Sequence, residues 1–294
     1  MLNRRIVLMA AAGLVLNSTQ PGFAITIPDV DIPILKSGTP THTIRMQALT
    51  TADGHAYDVF SAVPVKPAPD RGYPILYMLD GNAAFDALTP ELLSKVPELV
   101  IVAVGYPGAR AFDVVARSLD YTPPPLGQTG PMPDPGRPER QIGGAGAFLE
   151  RLRGEIRSFA EEGITIDPER RALWGHSYGG LFTVFTFFTA PDAFNTYVPV
   201  SASLSFGDKA VLALEPDATA PLDRKRLLVM MGDMESRSGQ PKLTEPRPNP
   251  ETLALIERLK AHPELSVSSI VLEGAQHGPA LRLSIPYALE FAAQ

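Results

Sequence analysis

The feature that most constrains this chain is a series of short, continuous apolar runs, most of which end at or near glycine. They are Tyr73–Gly81 ("YPILYMLDG"), Glu98–Gly108 ("ELVIVAVGYPG"), Arg171–Gly175 ("RALWG"), Asn195–Ser203 ("NTYVPVSAS"), Arg224–Asp233 ("RKRLLVMMGD") and Leu265–Gly274 ("LSVSSIVLEG"). An apolar run without polar alternation suits a strand covered on both faces, as in a parallel sheet. Helix-like segments lie between them. Ala145–Glu162 places Phe148, Leu149, Leu152, Ile156 and Phe159 on one helical stripe. "LFTVFTFFTA" is apolar nearly all round, as a buried helix would be, and "PETLALIERLKAH" and "PALRLSIPYALEFAAQ" also read as helices, with Pro286 expected to kink or break the last.

Ahead of this alternation, "THTIRMQALT" and "HAYDVFSAV" flank Ala52-Asp53-Gly54, a hairpin signal. A hairpin followed by alternating strands and helices predicts an α/β fold: a doubly wound, mostly parallel sheet with an antiparallel start and helices on both faces. Ligands of such sheets bind at the carboxyl ends of the strands. The Pro-rich stretch Thr122–Gly144 is excluded from helix and central strand, leaving a long surface loop or a flap over the site.

The N-terminus reads as a targeting segment. Arg4 and Arg5 precede an apolar run from Ile6 to Leu16, and small residues lead to Ala24. This predicts a signal peptide over residues 1–24, export to the periplasm, and a single domain over 25–294. The adjacent arginines resemble a twin-arginine signal, and the run is too short to span a bilayer. Two arginines and no acid leave with residues 1–24, so the net charge of −6 becomes −8. A chain this acidic lacks the basic footprint of a nucleic-acid binder. With no cysteine, thiol catalysis, disulfides and Cys-ligated metals are excluded.

The chemistry concentrates in Gly175-His176-Ser177-Tyr178-Gly179-Gly180, between an apolar run and a helix. A strand, Gly-X-Ser-X-Gly and a helix form a nucleophile elbow, which lifts the Ser177 hydroxyl clear of the sheet at a strained turn where side chains on the glycines would collide with their neighbours. Serine needs a base. Of the five histidines, His42 and His55 belong to the hairpin, His176 flanks the nucleophile, and His262 sits at a helix end. His277, on the loop after the last strand, fits the order Ser, acid, His. The acid is expected in "GDMESRSG", as Glu235 or alternatively Asp233, to fix and stabilise the imidazole. The oxyanion hole is expected from the backbone N–H groups of Tyr178 and Asn82, the latter after Gly81 on the loop that leaves the first parallel strand. No metal or other cofactor is required.

Together "ILYMLDGNAAF" (Ile75–Phe85), "VIVAVGYPG" (Val100–Gly108), "RSLDYTP" (Arg117–Pro123), "IDPERRALWGHSYGGLF" (Ile166–Phe182) and "GAQHG" make the chain similar to the esterase family that includes the ferric-enterobactin-type siderophore esterases. Formylglutathione hydrolases and mycolyltransferases are more distant relatives. The resemblance implies an α/β-hydrolase fold and serine esterase chemistry, with Ser177 as nucleophile and His277 as base; some periplasmic members manage with a weak or absent acid. The siderophore esterases often carry a tryptophan pair after a Ser-X-Ser segment, whereas Ser201–Phe206 has none and Trp174 lies within a strand.

The substrate is then a small-molecule ester, with the ester or lactone bonds of a ferric catecholate siderophore as one class. Arg110 and Arg117 follow the second parallel strand near the expected mouth of the site, where they would bind an anionic ester; pairing of Arg117 with Asp120 is the competing reading. Alternatives to siderophore hydrolysis are a general carboxylesterase, an acyltransferase, and a ligand-binding protein on a hydrolase scaffold.

Overall fold

The computed structural model describes residues 27–215, 222, 224–236 and 241–294. The segment read as a signal peptide lies outside the described residues. The described residues form ten strands: β1 (His42–Thr50), β2 (Ala56–Pro64), β3 (Tyr73–Met78), β4 (Val100–Gly105), β5 (Met132–Asp134), β6 (Arg137–Ile142), β7 (Ile166–His176), β8 (Thr196–Val200), β9 (Arg226–Gly232) and β10 (Ser266–Leu272). Eight of them form one sheet in the order β1-β2-β4-β3-β7-β8-β9-β10. β2 runs antiparallel to both β1 and β4, and the pairs from β4 through β10 are parallel. This is the expected parallel sheet with an antiparallel start.

The apolar runs at the centre of the sheet fold as strands because both faces are covered, and every residue of β3 and of β4 is buried, whereas the run Leu265–Gly274 forms the edge strand β10, which is largely exposed. Alternate residues feed two cores. Ile75, Tyr77, Val102 and Leu173 face a layer with Phe148, Leu152, Phe182 and Phe187, from helical segments between Ala145 and Ala160 and from the helix Tyr178–Thr189. Leu76, Met78, Ile101, Ala103 and Trp174 face Phe85, Leu281, Ile285 and Leu289 on the opposite side. The helix Tyr178–Thr189 is buried without a break from Gly179 to Phe188, which explains its missing polar face.

Three expectations change. Pro286 neither breaks nor ends its helix, which runs continuously from His277 to Ala293. Its buried stripe of Ala280, Leu281, Ile285, Ala288, Leu289 and Ala292 spans both sides of the proline, so packing on the sheet outweighs the lost backbone hydrogen bond. The elbow strand begins at Ile166, five residues before the apolar run, and its pairing with β3 is irregular between Tyr73 and Ile75. The Pro-rich Thr122–Gly144 stretch holds the two-stranded ribbon β5–β6, separate from the main sheet. Pro133 and Pro138 fit there because a two-stranded ribbon has only edges.

Candidate active site

The elbow is built from β7 and the helix Tyr178–Thr189. Ser177 sits between them at φ 60°, ψ −113°, an uncommon backbone for a residue with a side chain. Its N–H donates to the Val200 carbonyl on β8 at 3.0 Å, and its own carbonyl receives the Leu181 and Ser203 N–H groups. The glycines serve different ends. A Cβ on Gly175 would lie 2.3 Å from the Gly179 carbonyl oxygen, and one on Gly180 would lie 2.6 Å from the Val200 oxygen. On Gly179 it would meet nothing nearer than Leu79 Cβ at 3.4 Å, an ordinary contact. The expected collision therefore applies to Gly175 and Gly180, whereas Gly179 supplies the backbone against which Gly175 packs.

His277 meets this serine: its Nε2 lies 3.0 Å from Ser177 Oγ, and its Nδ1 lies 2.9 Å from Glu235 Oε2. The histidine is the first residue of the long C-terminal helix, not part of a flexible loop. Its backbone carbonyl also contacts His176 Nε2 at 2.8 Å, and the two rings are tilted with centroids 4.8 Å apart. His176 is 4% exposed. Burial, reinforced by His277, pushes its pKa well below 6.5, so it is a neutral donor beneath the reacting imidazole.

Structure distinguishes the two acids. Asp233 Oδ1 accepts the Gly274 N–H at 2.7 Å and ties the β9 and β10 exits together. Glu235, two residues on, reaches His277. Its other oxygen accepts Ser201 Oγ–H at 2.5 Å and the Gly232 N–H at 2.6 Å. Burial alone would raise the Glu235 carboxyl, but hydrogen bonds from His277 and Ser201 outweigh it and hold the pKa below 4.5. Ser201 holds φ 47°, a second left-handed residue beside the site, and sequence patterning gave no sign of its contact with the acid.

The β3 exit loop stands beside the elbow. Asn82 is buried on the short helix Gly81–Asp86. Its side chain is committed to the segment that follows β4: Nδ2 donates to the Tyr106 and Gly108 carbonyls at 3.1 and 2.9 Å, and Oδ1 accepts the Tyr106 N–H at 3.0 Å. The backbone N–H groups at the starts of this helix and of the elbow helix have no partner in a preceding turn. Gly81 is required by β4, since a Cβ there would lie 2.5 Å from the Gly105 nitrogen.

The two arginines separate. Arg110 lies exposed after β4, where its backbone pairs with Asp29. Arg117 does not pair with Asp120. Its Nε and Nη2 donate to Asp80 Oδ1 and Oδ2 at 2.7 and 2.8 Å. Asp120 is already taken by Arg151 at 2.7 Å and by the hydroxyls of Tyr57 and Tyr106. His42 and His55 are engaged elsewhere, His42 with Thr41 and the Leu99 carbonyl, His55 with Asp53.

A cavity of about 520 Å³ opens beside the relay, with Glu235 and His277 in its wall together with Ser201, Ser203, Arg247 and Asn249. Burial raises the pKa of the Tyr178 hydroxyl, with a smaller contribution from Asp134 of the Pro-rich ribbon. No helix among the described residues is long and apolar enough to cross a membrane.

Residues 51–262 match the model of the family described as "Putative esterase". The chain belongs to this esterase family. It is 40% identical over 205 residues to the apo-salmochelin esterase of Escherichia coli O6:H1, a match that covers 68% of this chain and 64% of that relative. It is 30% identical over 285 residues to the ferri-bacillibactin esterase BesA of Bacillus subtilis, covering 92% of this chain and 91% of the relative. Among solved structures, the enterobactin and salmochelin hydrolase IroE superposes with a TM-score of 0.71 at 32% identity, covering 88% of this chain and 98% of that one. IroE in complex with DFP gives 0.72 at the same identity and coverage. The α/β-hydrolase fold is thus shared along nearly the whole described chain.

Proposed function

We propose that this esterase hydrolyses the ester or lactone bonds of a siderophore through an acyl-enzyme on Ser177. The observation that carries the reading is the unbroken relay from Glu235 through His277 to Ser177, at 2.9 and 3.0 Å. Glu235 fixes the His277 tautomer with Nδ1 protonated, leaving Nε2 free to accept the Ser177 proton. Oγ then attacks the carbonyl carbon, and the negative charge develops on the former carbonyl oxygen. The Tyr178 and Asn82 amides receive that oxygen; each such donor contributes about 10²–10³-fold in rate. His277 returns the proton to the departing alkoxide, the alcohol leaves, and a water activated by the same imidazole releases the acid and restores the serine.

The siderophore class rests on the relatives, whose names specify salmochelin, bacillibactin and enterobactin. A binding scaffold has no need of an assembled relay, which weighs against retention without turnover. Arg110, exposed beyond β4, is the remaining candidate for an anionic substrate group. The reading extends to location: residues 1–24 direct export to the periplasm, and N-terminal sequencing of protein recovered from that compartment should begin after Ala24.

The test is a panel of catecholate trilactones, with and without iron, beside neutral aryl esters, run on wild type and Ser177→Ala. Turnover of the trilactones by wild type alone supports the reading. Turnover restricted to aryl esters would reduce it to a carboxylesterase of another substrate class.

A further inference from the structure

We propose that the cavity beside the relay is the leaving-group subsite of this esterase, and that Arg247 in its wall receives a carboxylate carried by the departing alcohol. The inference deepens the proposed function and rests on its reading of Ser177, His277 and the oxyanion amides. In that reading the carbonyl oxygen turns towards Tyr178 and Asn82, while the ester oxygen faces His277 Nε2, which protonates it as the acyl C–O bond breaks. The cavity has His277 in its wall, whereas Ser177, Tyr178 and Asn82 are absent from it. It therefore lies on the side to which the alcohol departs.

The wall of this cavity selects by polarity. It holds Ser203, Ser205, Asn249 and Arg247, and no phenylalanine, tyrosine or tryptophan among the described residues. An aromatic group entering it would find no such ring to stack on, in contrast to most small-molecule sites. The Ser203 and Ser205 hydroxyls hold no hydrogen bond to other described residues. Asn249 uses Oδ1 to accept the N–H groups of Glu251 and Thr252 at the start of the helix Pro250–Lys260, which leaves its amide N–H groups to donate. A polar, non-aromatic occupant fits this wall.

Charge narrows the class further. Two carboxylates share the wall, and both are engaged: Glu235 by His277, Ser201 and the Gly232 amide, and Glu251 by Lys209 at 2.9 Å. Arg247 is exposed, and its side chain makes no ion pair or hydrogen bond with the described residues. Its backbone N–H donates to the Asp233 carbonyl at 2.6 Å, so the turn that leads to Glu235 also sets the place of the cation. The wall thus offers a single uncommitted guanidinium, whose planar fork matches a carboxylate at both oxygens. The group that meets this demand is the anion of a hydroxy acid, esterified through its hydroxyl.

The test compares O-butanoyl-N-acetylserine with its carboxamide, two esters that differ only in whether the departing alcohol carries a carboxylate. Butanoate release is followed for wild type, Arg247→Gln, Arg247→Glu and Arg110→Gln. Arg247 is exposed, so its variants should fold as wild type does. Wild type should favour the acid by at least about tenfold in kcat/KM, and Arg247→Gln should lower that value for the acid about 10- to 100-fold, as loss of a charge-assisted pair does, while changing it less than about threefold for the carboxamide. The loss should appear mainly in KM, because the carboxylate is bound alike before and during bond breaking. Arg247→Glu should reverse the preference, and Arg110→Gln, which does not line the cavity, should keep it. An equal loss on both esters in Arg247→Gln would make Arg247 merely structural and overturn the receptor, as would selectivity lost in Arg110→Gln and kept in Arg247→Gln. A wild type that a fluorophosphonate labels on Ser177, yet that treats the two esters alike or cleaves neither, overturns the receptor alone. A wild type that takes no label sinks the reading of Ser177 and the subsite with it.

Discussion

Glu235 Oε2 lies 2.9 Å from His277 Nδ1, although the two residues are 42 positions apart and Asp233 stands nearer the end of β9. The choice between the acids follows from what each already holds. Asp233 closes the gap between neighbouring strand exits, and Glu235 extends past it to the imidazole, braced by Ser201 and the Gly232 amide.

The two acids should therefore fail differently. Glu235→Gln should lower kcat by about 10³–10⁴-fold, the range for losing the group that orients a catalytic histidine, with little change in folding. Asp233→Ala should leave kcat per active site within about threefold but cost about 1–3 kcal/mol of stability, because the Gly274 N–H loses its acceptor. Steady-state kinetics beside urea unfolding of both variants check this; the reverse pattern would reassign the acid.

Ser201 should act through Glu235. Ser201→Ala removes a hydrogen bond that holds the carboxylate ionised, so the pKa of Glu235 should rise. The acid limb of kcat/KM should then move to higher pH, with a smaller loss of rate than in Glu235→Gln. A pH–rate profile identical to wild type would contradict this.

His176 should give the fold an acid-sensitive slope. Its native pKa lies well below 6.5 while that of the unfolded chain does not. Above pH 6.5 both states are neutral and the group contributes no slope. As pH falls below 6.5, the unfolded chain takes up a proton that the native state refuses, so stability drops by up to about 1.4 kcal/mol per pH unit. Urea unfolding from pH 7.5 to 5 should show a steeper loss in wild type than in His176→Gln. His42, also shifted downward, contributes equally to both proteins and cancels in the comparison.

The glycines should separate by what a methyl group would meet. Gly180→Ala drives a Cβ to 2.6 Å from the Val200 carbonyl oxygen and should destabilise by at least about 2 kcal/mol, or prevent folding. Gly146→Ala, on the helix Ala145–Arg151 with nothing within 4 Å, should stabilise by about 0.4–1 kcal/mol. Thermal melts of the two variants measure both signs.

Much of this architecture was legible in the sequence because its signals are local. The apolar runs of β3 and β4 and the crowded glycines around Ser177 express buried strands and a tight turn directly. The order of Ser177, Glu235 and His277 along the chain carried the relay. What escaped depends on contacts distant in sequence. Arg117 has Asp120 three residues away, yet it pairs with Asp80, 37 residues back, because Arg151 and two tyrosines already surround Asp120. The continuity of the last helix through Pro286 escaped, because the local cost of the proline is overridden by packing visible only in three dimensions. The ribbon inside Thr122–Gly144 was hidden by prolines that an edge strand tolerates.

The most direct test is intact-protein and peptide mass spectrometry after reaction with a fluorophosphonate. A single adduct on Ser177 of wild type, absent from Ser177→Ala and formed at least about 100-fold more slowly in His277→Ala, is the predicted result. An adduct on another residue, or one that forms at the wild-type rate without the imidazole, would contradict the account.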